Sequence, residues 1–339
     1  MIGALLLIGL FSFKTIIDSG EFKSINPHFD GECIPVFGIA GPEDITVWND
    51  STVFISSDPR RSNISGSSFY THLNKKSDSK QGSIFKYNIK TKHIDNLTLH
   101  IDFEFHPHGI SIYEFNDRVY LNAVSHTSKG HSVVCFTLVD NQLIFIKEIL
   151  SPLLVSPNDL VMINENQFYI TNDHRTDKII TKLFEDYLQF PGSNILFYDG
   201  HKFEVCANKL KYANGINISK DSKKIYVAET IGKRVKIYDR NILNNDITLV
   251  ETIYVNSGVD NIELDQNGDL WIGSHPKLFD FLRHAKSKEN SSPSQVIFIS
   301  KDSYEMKEMF LSNGNDMSGS TVAAIYNKDL LIGSVFEEH

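Results

Sequence analysis

Cysteine is scarce in this chain: Cys33, Cys135 and Cys206 are the three among 339 residues. No C-x-x-C spacing joins them, so a zinc ribbon and a dense disulfide scaffold are excluded, and at most one bridge can form. Basic charge is also short, with 33 Lys and Arg against 42 Asp and Glu and a formal charge of −9. Phosphate binding needs clustered cations, so a nucleic-acid surface is excluded. The acidic balance favours solubility and also suits a cation site. No G-x-S-x-G elbow, P-loop or dinucleotide fingerprint is present, which removes the usual serine-hydrolase and nucleotide chemistries.

Long apolar runs are missing except at the start, where Met1–Phe13 is almost entirely apolar. That run is short of the roughly 20 residues a spanning helix needs and has the length of a signal-peptide core. It lacks a basic flank and a small-x-small cleavage site. A cleaved signal, a retained anchor and a buried first strand therefore all stay open. We take 1–18 as the apolar signal or anchor segment and 19–339 as a single catalytic domain. Sequons at Asn49, Asn63, Asn96, Asn217 and Asn290 fit a secreted or membrane-associated glycoprotein of the secretory route.

What the chain does have is a repeat. A charged or polar pair followed by a short apolar β run, with an aromatic near its centre, recurs six times, with Phe54, Tyr120, Tyr169, Tyr226, Trp271 and Leu331 as the markers. The markers lie 45 to 66 residues apart. Each copy, from Asn49-Asp50-Ser51 to Asn327-Lys328-Asp329, reads as a hairpin turn between two strands. The one stretch with helical character is Leu278–Lys286. Six four-stranded units predict an all-β, six-bladed β-propeller.

About ten residues before each marker sits a polar lead-in: Glu43-Asp44, His108-Gly109, Asn158-Asp159, Asn214-Gly215, Asp260-Asn261 and Ser320-Thr321. In a propeller the first strand of each blade lines the channel, so all six lead-ins face one mouth. Their side chains are mostly hard oxygens, which suit calcium better than zinc or copper. Successive residues of an extended chain point opposite ways. Pairs such as Glu43-Asp44 and Asn158-Asp159 would thus serve two stacked ions in a central calcium-binding tunnel. His108 lies among these oxygens, and His126 ends the following strand, so the two are candidates for proton transfer.

At these residues the chain resembles the serum paraoxonase/arylesterase family of calcium-dependent lactonases. The motifs that carry the likeness include Gly41-Pro42-Glu43-Asp44, His106-Pro107-His108-Gly109, Pro157-Asn158-Asp159, Tyr212-Ala213-Asn214-Gly215, Val259-Asp260-Asn261 and Asp269-Leu270-Trp271-Ile272-Gly273-Ser274-His275. They follow family order from about residue 30 to the end. The resemblance implies two Ca2+ ions, one catalytic and one structural. The catalytic ion would be held by Glu43, Asn158, Asn214, Asp260 and Asn261, and the structural ion by Asp44, Asp159 and the Ile110 carbonyl. It implies a His108–His126 dyad and a substrate pocket with Tyr212, Trp271 and His275. It also implies an apolar N-terminus kept as a membrane or lipid anchor, and a small-molecule lactone or aryl ester as substrate.

Cys33 matches a cysteine that the family pairs with one near its C-terminus, and no such partner stands in this sequence. Ring closure would then rest on strand pairing. A second reading is a non-catalytic, membrane-associated propeller that binds or chaperones other proteins. An amine-condensing propeller related to strictosidine synthase fits the ligand set less well.

Overall fold

The computed structural model describes residues 2–49, 51–63 and 80–338. Asp50, in the first hairpin copy, and the remainder of the Asn63 sequon lie outside the described residues. The fold is an all-β propeller. Five sheets hold four strands in sequence order, each antiparallel to the next, over residues 42–96, 107–149, 157–210, 213–254 and 258–312. A short N-terminal strand, His28–Phe29, adds a fifth strand to the last of these by pairing with Phe310 and Leu311. The sixth sheet has two strands, Ser320–Tyr326 and Asp329–Ser334.

The expectation of six four-stranded blades is therefore corrected to five complete blades and one hairpin. The reason lies in what the repeat marked. Each marker sits on the second strand of a unit, within the hairpin that all six sectors share. Outer strands such as Gln142–Ile149 and Ile247–Tyr254 are largely exposed, mix polar and apolar residues without a regular pattern, and carry no common signature.

The six innermost strands nevertheless touch one another in cyclic order, with the hairpin strand Ser320–Tyr326 set between Gly258–Leu264 and Pro42–Asn49. The hydrophobic core follows the same plan, in six clusters wedged between neighbouring sheets. One joins Phe54, Ile84 and Leu97 to Ile110, Leu121 and Phe136. Another joins Val53 and Ile55 to Val322 and Ala324, so the hairpin packs directly on the first blade. Cys135 and Cys206 belong to such clusters and act as small apolar residues, while Cys33 is exposed and all three thiols are free. A main-chain hydrogen bond from Gly41 N to the Glu337 carbonyl, 2.7 Å, ties the segment before the first blade to that after the hairpin.

A register irregularity recurs at one place in every sector, between Pro42 and Asp44, Pro107 and Ile110, Pro157 and Leu160, Ala213 and Ile216, Val259 and Ile262, and Ser320 and Val322. Each polar lead-in falls in such a bulge. A bulge bends the strand and re-aims a side chain, and here six bulges bring polar residues to the axis.

Among the described residues four helices decorate the propeller, the shortest being the single turn Arg60–Asn63. Leu278–Lys286 is helical as its sequence suggests. The N-terminal segment is a helix over Ile2–Asp18, not a buried first strand. Among the described residues no helix is long and apolar enough to cross a membrane. The helix Ile179–Tyr187 escapes sequence reading because its pattern is inverted. It buries Lys182 and Glu185 and turns Ile180 and Phe184 to solvent.

Close approach of the bulges explains one glycine. A β-carbon on Gly109 would lie 2.8 Å from the Asn158 carbonyl oxygen and closer still to Asp159. Gly109→Ala should lower unfolding free energy by about 2 kcal/mol or more. Urea denaturation checks this; a midpoint unchanged from wild type would show that the bulges are not in tight contact.

Candidate active site

The lead-in residues open onto one cavity. Glu43, His108, Asn158, Asn214 and Asp260 line its floor, with Asp173, Tyr212 and His275 around them. Its walls and rim come from Arg60, Phe281, Phe336 and the two helices Ile2–Asp18 and Ile179–Tyr187. The alternation expected of an extended chain shows in what reaches this floor. Glu43 and Asn158 line it, whereas their neighbours Asp44 and Asp159 do not.

Below the floor the carboxylates of Asp44 and Asp159 bind main-chain amides. Asp44 accepts from Ile45 N at 2.9 Å and from Ile110 N at 2.8 Å. Asp159 accepts from Leu160 N at 2.7 Å and from Ile216 N at 2.8 Å. Each therefore ties its own blade to the next. Threonines do the same in the other direction: Thr171 donates to the Asn214 carbonyl, Thr230 to Val259 and Thr321 to Glu43, each at 2.7 Å.

The electrostatics are adverse. Burial raises both Asp44 and Asp159 well above the usual carboxylate range, and the charge of Glu43 adds to the push on Asp44. Burial also raises Asp260, against the opposing hydrogen bond from His275 Nε2 at 2.7 Å. Burial acts on Glu43 in the same sense, but the adjacent His108, with Nε2 3.1 Å from Oε1, outweighs it and holds Glu43 below its ordinary value.

Among the described lead-in residues, four buried side-chain oxygens have no hydrogen-bond partner: Glu43 Oε2 and the Oδ1 atoms of Asn158, Asn214 and Asn261. Leaving such oxygens bare is costly. The Nδ2 groups of these asparagines are engaged, with Asp173, Thr230 and Glu43 respectively, which fixes which way each amide points. Among the described residues no three His, Cys, Asp or Glu side chains group as metal ligands. The bare oxygens here come mainly from amides. Such a set, hard and acceptor-only, fits a calcium ion.

His108 Nδ1 lies 2.8 Å from His126 Nε2, and both rings are buried. Tyr212 and His275 line the cavity, but Trp271 does not. Its ring packs between the last blade and the hairpin, with Nε1 donating to Asp265 at 3.3 Å. As the marker of its hairpin it belongs to the core. Tyr212 takes a left-handed backbone, φ 60°, that turns its ring onto the edge of His174. Asn217, one of the sequons, donates its amide to the Ile262 carbonyl at 2.7 Å between two blades.

Sequence reasoning missed Asp173, Arg60, Phe281 and Phe336. Asp173 had a signal, since it closes the same strand pattern as Asn172 and precedes a histidine. Arg60 and the two phenylalanines lie in connections outside the repeat.

The family model described as Arylesterase matches residues 58–339. The chain belongs to the arylesterase family. Its relatives include serum paraoxonase/arylesterase 1 of Rattus norvegicus, 31% identical over 96% of this chain and 92% of that protein. Serum paraoxonase/arylesterase 2 of Gallus gallus is 33% identical, covering 93% and 89%. Serum paraoxonase/lactonase 3 of Oryctolagus cuniculus is 30% identical, covering 94% and 90%. Among solved structures, a calcium-binding protein, regucalcin, of Agrobacterium tumefaciens superposes with TM-score 0.53 at 12% identity, covering 90% of this chain and 85% of that one. A luciferin-regenerating enzyme gives 0.52 at 14%, covering 88% and 85%. At such identities these two show the shared propeller fold alone.

Beside the cavity floor stands a second charged cluster. His174 Nδ1 lies 2.5 Å from Asp173 Oδ1 and its Nε2 3.0 Å from Asp186 Oδ1. Burial lowers His174, but the two carboxylates prevail and raise it to about 9. The cluster therefore stabilises the fold fully below the unfolded histidine value and loses that contribution as pH rises through about 9. His174→Asn should accordingly be less stable than wild type at pH 6, with the gap in melting temperature closing by pH 10. A gap that stayed constant across this range would show that His174 is not held charged.

Proposed function

We propose that the chain is a calcium-dependent hydrolase of lactones and aryl esters. The observation that carries the reading is the set of four bare, buried oxygens on Glu43, Asn158, Asn214 and Asn261. In a site assembled only to hold sheets together, such oxygens would be paired or replaced by apolar groups. Together with Asp260 they make the set that would hold the catalytic ion. Asp44, Asp159 and the Ile110 carbonyl would hold the structural one. We read the two-stranded sheet as the sixth sector of a six-bladed ring, with the ions in its central tunnel. The relatives' names, arylesterase and lactonase, agree with ester chemistry.

When bound, calcium would supply a Lewis acid that polarises the substrate carbonyl and stabilises negative charge on its oxygen. The protein's own part is to place a base, exclude water and grip the acyl group. His108 lies at the cavity floor 2.8 Å from His126, and in this reading it is oriented by His126 and takes a proton from water. Glu43 and Asp260 are the other groups on that floor with basic oxygens. Phe281, Phe279, Leu278 and Leu282 give one wall an apolar surface suited to an alkyl or aryl tail.

We further propose contact with lipid through the exposed apolar residues of two adjoining helices. These are Leu10, Phe11 and Phe13 on the N-terminal helix and Ile180 and Phe184 on the other, and Thr15 Oγ1 donates to the Tyr187 carbonyl between them at 2.7 Å. A protein of the secretory route, tethered by this surface or released from it, follows from that reading.

Stripping calcium with a chelator should abolish hydrolysis and lower the melting temperature by about 5–10 °C, the loss expected when a tightly bound ion is removed. Hydrolysis that survives complete chelation defeats the reading. His108→Gln should reduce turnover of a lactone by about a hundredfold or more with calcium content unchanged. Full activity in that variant would take the histidine out of the chemistry.

A further inference from the structure

The histidine pair does not end at His126. His131 opens the third strand of the second blade, Gly130–Val139, and stands directly across from His126 in the register of that hairpin. Opposed residues of an antiparallel pair project to one face. Here the turn after Thr127 brings the two rings to a centroid separation of 4.8 Å at 89°. His126 Nδ1 lies 2.7 Å from His131 Nδ1, while its Nε2 lies 2.8 Å from His108 Nδ1. Three imidazoles thus form an unbroken line. Its inner end is on the cavity floor. Its outer end, His131, is half-buried on the wall of a different, surface cleft with Lys129, Ser151, Arg175 and Asp177.

Each nitrogen-to-nitrogen contact needs one proton. Three neutral rings satisfy both contacts in two ways only. In one, every donor points inward and His108 Nε2–H donates to Glu43. In the other, every donor points outward and His131 Nε2 carries the last proton. We propose that His131 is the outer station of a proton relay, setting the tautomer of His126 and exchanging protons between it and solvent. The inference rests on the hydrolase reading above.

The steps balance. As the water oxygen bonds to the carbonyl carbon, the C=O π pair moves onto the carbonyl oxygen, one O–H bond of the water breaks and that proton bonds to His108 Nε2; the pair returns when the bond to the leaving oxygen breaks. The His108 Nδ1 proton passes to His126 Nε2, the His126 Nδ1 proton passes to His131 Nδ1, and the proton on His131 Nε2 leaves to solvent water. Departure of the alcohol runs the line backwards. His108 Nε2–H goes to the leaving oxygen, each ring recovers a proton from the next, and His131 takes one from solvent. The carboxylic acid left behind loses its own proton to water. Burial, aided by Lys182 nearby, holds His131 down to about 4, so it is neutral at pH 7. Neither arrangement of the line then charges its outer ring, and the inward one also places a proton between His108 Nε2 and Glu43 Oε1. His131 touches no substrate in this scheme and is a positioning residue.

The test compares the calcium-loaded wild type with His131→Phe and His131→Ala on one lactone, with free imidazole titrated in. Turnover should fall about tenfold or more in both variants, at a KM within about twofold of wild type. Imidazole should restore His131→Ala in a saturable way and leave His131→Phe, whose ring fills the space, unrescued. Nitrogen-15 shifts of the histidines should show His126 changing its tautomer pattern in His131→Phe, a readout that needs no activity. A wild type that hydrolyses the lactone while His131→Phe matches its turnover overturns the relay alone. So does a loss of turnover that imidazole does not relieve and that leaves the His126 nitrogens unchanged. A wild type that hydrolyses no ester or lactone overturns the reading of the site and the relay with it.

Discussion

Four carboxylates, Glu43, Asp44, Asp159 and Asp260, are buried within reach of one another's charge at the axis of the ring, and the rest of the molecule has to accommodate them. Burying one ionised carboxylate without compensation is expensive; burying several together adds mutual repulsion. The protein answers part of this with what it has. Main-chain amides from the next blade satisfy Asp44 and Asp159, and histidines face Glu43 and Asp260. At the lead-ins the compensation stops short at four oxygens that have no hydrogen-bond partner among the described residues. A propeller can carry such a cluster because its axis is lined by six strands that each contribute one place, so no strand bears the whole cost.

The same amides and threonines that serve the carboxylates also stitch the ring. Asp44 and Asp159 each bridge two blades, and Thr171, Thr230 and Thr321 hold the carbonyl of the neighbouring lead-in. The proposed site and ring closure therefore share the same contacts in this member of the arylesterase family. With all three thiols free, the circle is shut by the hairpin Ser320–Ser334 packing between the last and first blades, and by the main-chain bond from Gly41 to Glu337. Loosening the axis would be expected to loosen the ring.

Much of the architecture was legible because a propeller repeats. Six hairpins with polar turns and a large central residue were visible in the sequence, and all six exist. The number of complete blades was not, because the outer strands vary freely against solvent and the last sector has only its inner pair. The helix Ile179–Tyr187 was hidden by its inverted pattern, with lysine and glutamate turned inward. At the site, the lead-ins were readable as a register. Trp271 was not readable as core, since an aromatic on a second strand serves a blade interface as well as a pocket. Asp173 left a trace at the end of its strand, whereas Arg60 and the cavity wall from Phe281 and Phe336 come from segments outside the repeat, where spacing carries no information. His131 lay in plain view, but its meaning depends on a cross-strand register that no spacing rule supplies.

The proposed cage of oxygens can be weighed directly by calorimetric titration of calcium into protein first freed of metal. Two binding events per chain are predicted, and Asn214→Ala should remove one of them while leaving the other intact. Titration that detects no binding, or a variant that binds both ions as wild type does, would contradict the claim that these buried oxygens exist to hold a cation.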